Sequence, residues 1–180
     1  MSFEKHLEEG QILEQAVTDQ LNRLLPDTCK AINTSQDNSI DRFIYSTVDV
    51  VVMKGDHIVF GIECKYGKEK YNACQALNGW DGDYNTPLNE KSVHRYKEAE
   101  FPVYVLNVNS WCGKMFTADL KTILGSPNDG GRNRKYSGEV RYNVDSRQWN
   151  NYTYTDDLSL VFPLSDIIDK HKKELCWTYC

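Results

Sequence analysis

The sequence predicts an α/β domain in which a mixed central β-sheet is flanked by helices. The first observation is the order of the predicted elements, in which helical and strand-like patterns alternate along the chain. The second is the stretch FPVYVLNV at residues 101–108, a continuous apolar run that is typical of a buried central strand. The third is length, because 180 residues suffice for one domain with a substantial core.

Composition excludes several classes of protein. Charged residues make up 26% of the chain, and no apolar run approaches the roughly 20 residues that span a membrane. The first ten residues, MSFEKHLEEG, are polar and acidic, which argues against a signal peptide. The six cysteines form no CxxC pair and no array with zinc spacing. We therefore expect a cytoplasmic protein with reduced thiols.

The acidic side chains concentrate in the first third of the chain, although the formal net charge is only −5. Such an acidic pole is either a solvated surface or a site that binds a cation. The overall charge does not decide between these two interpretations.

The first half of the chain begins with a helical pattern. Apolar residues at steps of three and four predict an amphipathic helix over 3–25, or two helices broken near Gly10, ending before Pro26. Residues 28–42 are polar and turn-rich. Two β-branched runs over 46–67 predict a hairpin around Lys-Gly-Asp. Then follow a helical pattern over 68–80, a loop over 81–87 and a helix from Asn89 to about Glu98.

The second half starts with the apolar strand at 101–108. Residues 116–124 have a helical pattern, and residues 125–135, GSPNDGGRNRK, form the clearest loop. The stretch from Tyr136 to Phe162 is strand-like with polar interruptions. Residues 164–175, LSDIIDKHKKEL, predict a closing helix.

A charged pair, Glu63 and Lys65, ends the strand-like stretch VFGIECKY at residues 59–66. In a strand, residues two apart point to the same face, so the two side chains share one face. The similar pair Asp119 and Lys121 lies in a helical pattern, where residues two apart diverge. Only the first pair is therefore expected to form a site.

Asp49 opens the preceding strand of the hairpin, and the register decides whether it joins this face. A two-residue turn at Gly55–Asp56 would place Asp49 and Glu63 on opposite faces. We therefore predict a three-residue loop, Lys54–Asp56, with Gly55 in the left-handed conformation, or else a bulge that restores the parity.

Two carboxylates and a lysine on one face suit a hard divalent cation. Mg²⁺ prefers oxygen ligands and is held by one or two carboxylates together with substrate phosphate, and Mn²⁺ is an expected substitute. Lys65 could then position or deprotonate water, or neutralise negative charge. The alternative is a simple ion pair at a strand end, worth roughly 0–1 kcal/mol.

The order of an acidic helix, Asp49, a hairpin and the Glu63-Cys64-Lys65 segment resembles the PD-(D/E)xK nuclease superfamily. The resemblance covers about residues 3–124. We expect residues 125–180 to add a hairpin-rich extension and a C-terminal helix within the same single domain, 1–180. The resemblance implies a restriction-endonuclease-like fold, and it extends to Gly10–Glu14, which resembles the first-helix glutamate of that family. Val48 stands where the motif name has proline.

The resemblance also implies roles for individual residues. Asp49 and Glu63 would be metal ligands, the backbone carbonyl of Cys64 a third ligand, and Lys65 the catalytic lysine. Glu14 would be an outer carboxylate of the same site, or one more solvated charge on an acidic helix. Gln75, on the next predicted helix, is a possible residue of the rim.

A segment from Arg132 to Tyr154 interleaves basic residues with aromatic ones. This composition suits contacts with phosphate and stacking on bases, and the basic residues concerned include Arg132, Arg134, Lys135 and Arg141. The alternative is an outer hairpin whose arginines are solvated.

Together with these patterns, the resemblance implies a Mg²⁺-dependent deoxyribonuclease of the endonuclease type, without a membrane role. RNA is a possible substrate, and a homodimer is plausible because cutting both strands of a duplex often needs two sites. The alternative is a non-catalytic module that binds nucleic acid or protein on the same scaffold. The chain contains neither a GxSxG nucleophile motif nor a phosphate-binding P-loop.

Overall fold

The computed structural model describes residues 3–37, 44, 47–67, 85–110, 113–125, 139–143 and 150–176. Within them the helices are α1 (Phe3–Leu24), α2 (Glu90–Glu98), α3 (Leu120–Gly125), a 3₁₀ helix (Asp157–Leu160), α4 (Val161–Lys170) and α5 (Lys172–Leu175). The strands are β1 (Cys29–Asn33), β2 (Val50–Lys54), β3 (His57–Gly67), β4 (Asn85–Asn89), β5 (Val103–Asn109), β6 (Lys114–Asp119), β7 (Glu139–Asn143) and β8 (Asn150–Thr153). Of the helices in these ranges, none has the length and apolar character needed to cross a membrane.

Six of the described strands form one mixed sheet in the order β1-β2-β3-β5-β6-β8. Strands β1, β2 and β3 form an antiparallel meander, and β5 runs parallel to β3. Strands β6 and β8 continue the sheet in antiparallel pairing. Strands β4 and β7 pair separately as a two-stranded ribbon. The predicted mixed sheet flanked by helices is thus confirmed.

Helices cover both faces of the sheet because the strands alternate apolar residues between two cores. On one face, Phe60 and Ile62 of β3 pack with Leu13, Val17 and Leu21 of α1. The other face carries a second cluster, which includes Val51, Val105 and Phe116 of the sheet with Val93 and Tyr96 of α2. The charged end of β3 therefore lies in a strand that is covered from both sides.

Helix α1 is continuous through Gly10, so the alternative of two helices is wrong. Its buried side chains Leu13, Val17 and Leu21 follow at four-residue steps and hold the helix against the sheet. The helix ends at Leu24, before Pro26, as the sequence predicts.

Strand β1 lies in the segment that the sequence identifies only as turn-rich. Its five residues pair with β2 and bury Ala31. On its outer side, the Asn22 side chain donates to the Ala31 carbonyl at 3.0 Å and accepts from the Ala31 N–H at 2.8 Å. The strand therefore depends on pairing with distant residues, which a short polar sequence does not reveal.

Two further predictions need correction. Residues 116–119 extend β6, and helix α3 begins only at Leu120, because pairing with β5 overrides the helical pattern. Asp119 accepts a hydrogen bond from the Thr122 N–H at 2.6 Å, as an N-terminal cap does. Residues 85–87, assigned to a loop, belong to β4.

The C-terminal helical prediction is confirmed with different ends. Helix α4 starts at Val161, so Phe162 is helical rather than part of a strand, and the helix is interrupted at His171 before α5. Helix α2 and strand β5 match their predicted positions within one or two residues. The helix predicted over 68–80 and most of the loop over 125–135 lie outside the described residues.

Candidate active site at the β2–β3 hairpin

The β2–β3 hairpin contains the bulge that was one of the two predicted solutions. Lys54 pairs with His57 around a two-residue turn, and Gly55 has a φ of 59°, in the left-handed region. The predicted three-residue loop is therefore wrong. The register then shifts, because Val52 pairs with Phe60, and Val59 is the extra residue on β3.

This shift decides the position of Asp49. Beyond the bulge, Val50 pairs with Ile62, so the same register places Asp49 opposite Glu63. Opposed residues of an antiparallel pair project to the same side, and Lys65 follows two residues after Glu63. The bulge thus brings Asp49, Glu63 and Lys65 to one face. The site lies between the interior strands β2 and β3, not on an outer strand of the sheet.

The Asp49 carboxylate is fixed by the neighbouring strand. Its Oδ2 accepts a hydrogen bond from the Cys64 N–H at 2.7 Å. Its backbone N–H donates to the Ile62 carbonyl at 3.2 Å, and its carbonyl accepts from the Thr34 N–H at 2.9 Å. Since the N–H and carbonyl of a strand residue point to the same side, the Cys64 carbonyl points toward the β2 edge of β3, as its N–H does.

Glu63 is paired with Lys65 along the same strand. The Lys65 ammonium donates to Glu63 Oε1 at 2.5 Å. The Glu63 side chain is 9% exposed and that of Lys65 is 32% exposed. The carboxylate is therefore largely buried, whereas the lysine still reaches solvent.

Glu14 reaches this site from α1. Its Oε2 accepts a hydrogen bond from the Ser35 hydroxyl at 3.4 Å, and that hydroxyl also lies 2.7 Å from Asn33 Oδ1. Sequence reasoning missed Ser35, which lies in the polar segment after β1 where no motif distinguishes it. The structure shows that the end of β1 positions the first-helix carboxylate.

Burial and the charges of neighbouring carboxylates shift the pKa values of Asp49 and Glu14. Burial, followed by the negative charges of Glu63 and Glu14, raises the pKa of the Asp49 carboxyl to about 8. Burial also raises the pKa of Glu14, and the charge of Glu63 adds to this effect, while the Ser35 hydrogen bond opposes it. The three carboxylates therefore lack enough positive charge to balance them, which is the condition that a bound cation relieves.

Lys65 supplies the positive charge that the site does have. Burial alone would lower the pKa of Lys65, but the charge and hydrogen bond of Glu63 outweigh burial and raise it. Lys65 is therefore an ammonium at neutral pH. Burial raises the pKa of the Cys64 thiol well above its usual value, so this residue can contribute its carbonyl rather than a thiolate.

The donor set fits a hard divalent cation, since it consists of carboxylate oxygens and one backbone carbonyl. Within the described parts of the chain, however, no three His, Cys, Asp or Glu side chains already converge as a metal site. Instead, Glu63 contacts Lys65, and one Asp49 oxygen contacts Cys64. The ligands are thus near one another but engaged with partners inside the protein.

The structure does not describe the side chains of the remaining predicted residues. Gln75, Arg132, Arg134 and Lys135 lie outside the described residues. Arg141 lies on β7, where its backbone pairs with Pro87 of β4, and its side chain is not described.

The order of elements and site residues decides the fold. Helix α1 with Glu14, the meander with Asp49, Glu63 and Lys65, and a following strand parallel to β3 occur in the order that the PD-(D/E)xK resemblance implies. The chain therefore has a mixed α/β fold with the order of elements that this resemblance implies.

No protein-family model and no curated protein matches this chain. Among solved structures, it is similar to Hjc, a Holliday junction resolvase from Archaeoglobus fulgidus, with 13% identity and a TM-score of 0.44 over 78% of this chain and 87% of that chain. It is also similar to D212, a fusellovirus nuclease, with 13% identity and a TM-score of 0.49 over 92% of each chain.

Proposed function

We propose that this protein is a divalent-cation-dependent deoxyribonuclease that cleaves DNA internally, with Mg²⁺ as the cation and Mn²⁺ as a substitute. The observation that carries the proposal is the single face shared by Asp49, Glu63 and Lys65, which a bulge at Val59 makes possible. A strand-end ion pair does not need a half-buried aspartate beside it, so this arrangement favours a site over a surface salt bridge.

Each side chain has a role in this proposal. Asp49, Glu63 and the Cys64 carbonyl would hold the cation, and Glu14 would act as an outer carboxylate positioned by Ser35. A divalent cation, when bound, supplies polarisation of the phosphate and acidifies water. The protein contributes a largely buried Glu63 carboxylate, so electrostatic effects are stronger there than in water.

We assign to Lys65 the role of contacting the substrate phosphate. Its ammonium is partly exposed and can reach an incoming phosphate, where it would stabilise the negative charge of the transition state or orient the attacking water. Its raised pKa favours the charge-stabilising role over that of a general base. The basic residues Arg132, Arg134, Lys135 and Arg141 would provide contacts with the DNA backbone.

The test is cleavage of closed circular plasmid and of linear DNA with Mg²⁺, Mn²⁺ or EDTA. A closed circle has no ends, so its nicking or linearisation would establish internal cleavage. We expect cutting with either cation, none with EDTA, and none by Asp49→Asn, which retains the side-chain volume. Cleavage of linear DNA alone would contradict the endonuclease assignment, and undiminished cutting by Asp49→Asn would overturn the site.

A further inference from the structure

We propose that Lys65 competes with the cation for Glu63, so that cation binding releases the lysine for the substrate. The Lys65 ammonium donates a hydrogen bond to Glu63 Oε1 at 2.5 Å. The inference rests on the proposed function and adds to it a regulation of the same site: the lysine becomes available only where a cation has bound.

Because Glu63 is buried, its contact with Lys65 compensates the negative charge of its carboxylate. With 9% of its side chain exposed, Glu63 has little access to water, so its charge requires a positive partner. Lys65 provides that partner in the absence of metal. A divalent cation at the same oxygen would repel the ammonium and replace it.

Asp49 behaves differently from Glu63. Its Oδ2 is held by a neutral backbone donor, the Cys64 N–H, at 2.7 Å. A backbone N–H in a strand is fixed in position and carries no net charge to compete with a metal. The contact thus keeps Asp49 in position, whereas Glu63 must exchange one cationic partner for another.

The Lys65 ammonium can move away from the Glu63 carboxylate. Its side chain is 32% exposed, and a lysine carries its charge on a flexible four-carbon stem. The pair Asp119 and Lys121 provides a useful contrast, because Asp119 caps helix α3 and Lys121 is exposed on that helix. Lys121 therefore serves as a control that changes the net charge equally without touching Glu63.

The first experiment is calorimetric titration of Mg²⁺ and of Mn²⁺ into the DNA-free protein. Removing the competing ammonium by Lys65→Met should tighten cation binding about tenfold, the factor that corresponds to about 1.4 kcal/mol. Lys121→Met should bind as the wild type does. Equal or weaker binding by Lys65→Met would overturn the inference. Failure of the wild type and Lys65→Met alike to bind either cation would instead overturn the proposed function.

The second experiment measures the effect in the wild type, and a variant serves only to assign the resonance. In protein labelled with ¹⁵N-lysine, the Lys65 ammonium resonance should shift on addition of Mg²⁺, while that of Lys121 stays in place. Lys65→Arg would assign the resonance by its loss. A Lys65 resonance that does not move when calorimetry shows the cation to be bound would also overturn the inference.

Discussion

Asp49 combines burial with the negative charges of two neighbouring carboxylates, and this combination has a cost for the metal-free fold. The pKa of Asp49 is raised from 3.8 to about 8, so the native state holds a proton that the unfolded state releases at lower pH. The stabilisation from this group is fully present below about pH 4 and is lost as pH rises through about 8. The negative charge that favours cation binding therefore lowers the stability of the folded protein at high pH when no cation is bound.

Asp49→Asn should therefore stabilise the metal-free protein at high pH. The amide can still accept the Cys64 hydrogen bond, but it has no charge to lose or gain. Urea unfolding in EDTA at pH 5.5 and pH 9 should show that the advantage of Asp49→Asn over the wild type grows with pH. The exposed Asp169→Asn is the control for charge, and an advantage for Asp49→Asn that does not change with pH would contradict this account.

Two contacts between secondary-structure elements support the strands around the site. In strand β3, Gly61 lies two residues before Glu63, and a Cβ there would stand 2.8 Å from a ring atom of Phe101 and 2.9 Å from Val48. At the outer side of β1, Asn22 of α1 replaces a neighbouring strand by bonding both polar groups of Ala31. Each contact can be tested by one substitution.

Gly61→Ala should destabilise the protein by about 1–3 kcal/mol, because the added methyl overpacks the space against Phe101 and Val48. Gly10→Ala is the matched control. A Cβ at Gly10 meets nothing within 4 Å, and alanine in a helix interior should stabilise by about 0.5–1 kcal/mol. Urea unfolding measures both, and a neutral Gly61→Ala would show that the packing around β3 relaxes freely.

Asn22→Ala should lower the free energy of unfolding by about 1–3 kcal/mol, since it leaves a strand N–H and carbonyl without these bonds. It should also promote self-association, because an uncovered strand edge pairs with other chains. Urea unfolding and size-exclusion chromatography test the two effects. Arg23→Ala, at the neighbouring exposed position, should change neither, and a monomeric Asn22→Ala of unaltered stability would refute the role of this side chain.

At the scale of the whole molecule, the sequence was informative where burial leaves a strong pattern. The apolar run of β5, the four-residue steps of α1 and the two β-branched runs of the hairpin each predict the observed element. Strand alternation predicts that Glu63 and Lys65 share a face, whereas Asp49 joins that face only because of the bulge.

Other features depend on contacts that no local pattern records. The bulge at Val59 could be inferred only as one way to bring two carboxylates together, since valine fits any position of a strand. Strand β1 requires both β2 and Asn22. Ser35 becomes a partner of Glu14 only when β1 and α1 are packed side by side.

The central claim is that the face shared by Asp49, Glu63 and Lys65 cleaves DNA, and the most direct measurement is plasmid cleavage with Mg²⁺ by Lys65→Ala beside Lys121→Ala. Both variants lose one positive charge, but only Lys65 contacts Glu63. We expect Lys121→Ala to cut as the wild type does. Lys65→Ala should keep its circular dichroism spectrum and lose cleavage by at least about a hundredfold, as removal of a transition-state contact does. Cleavage by Lys65→Ala at the wild-type rate would contradict the account.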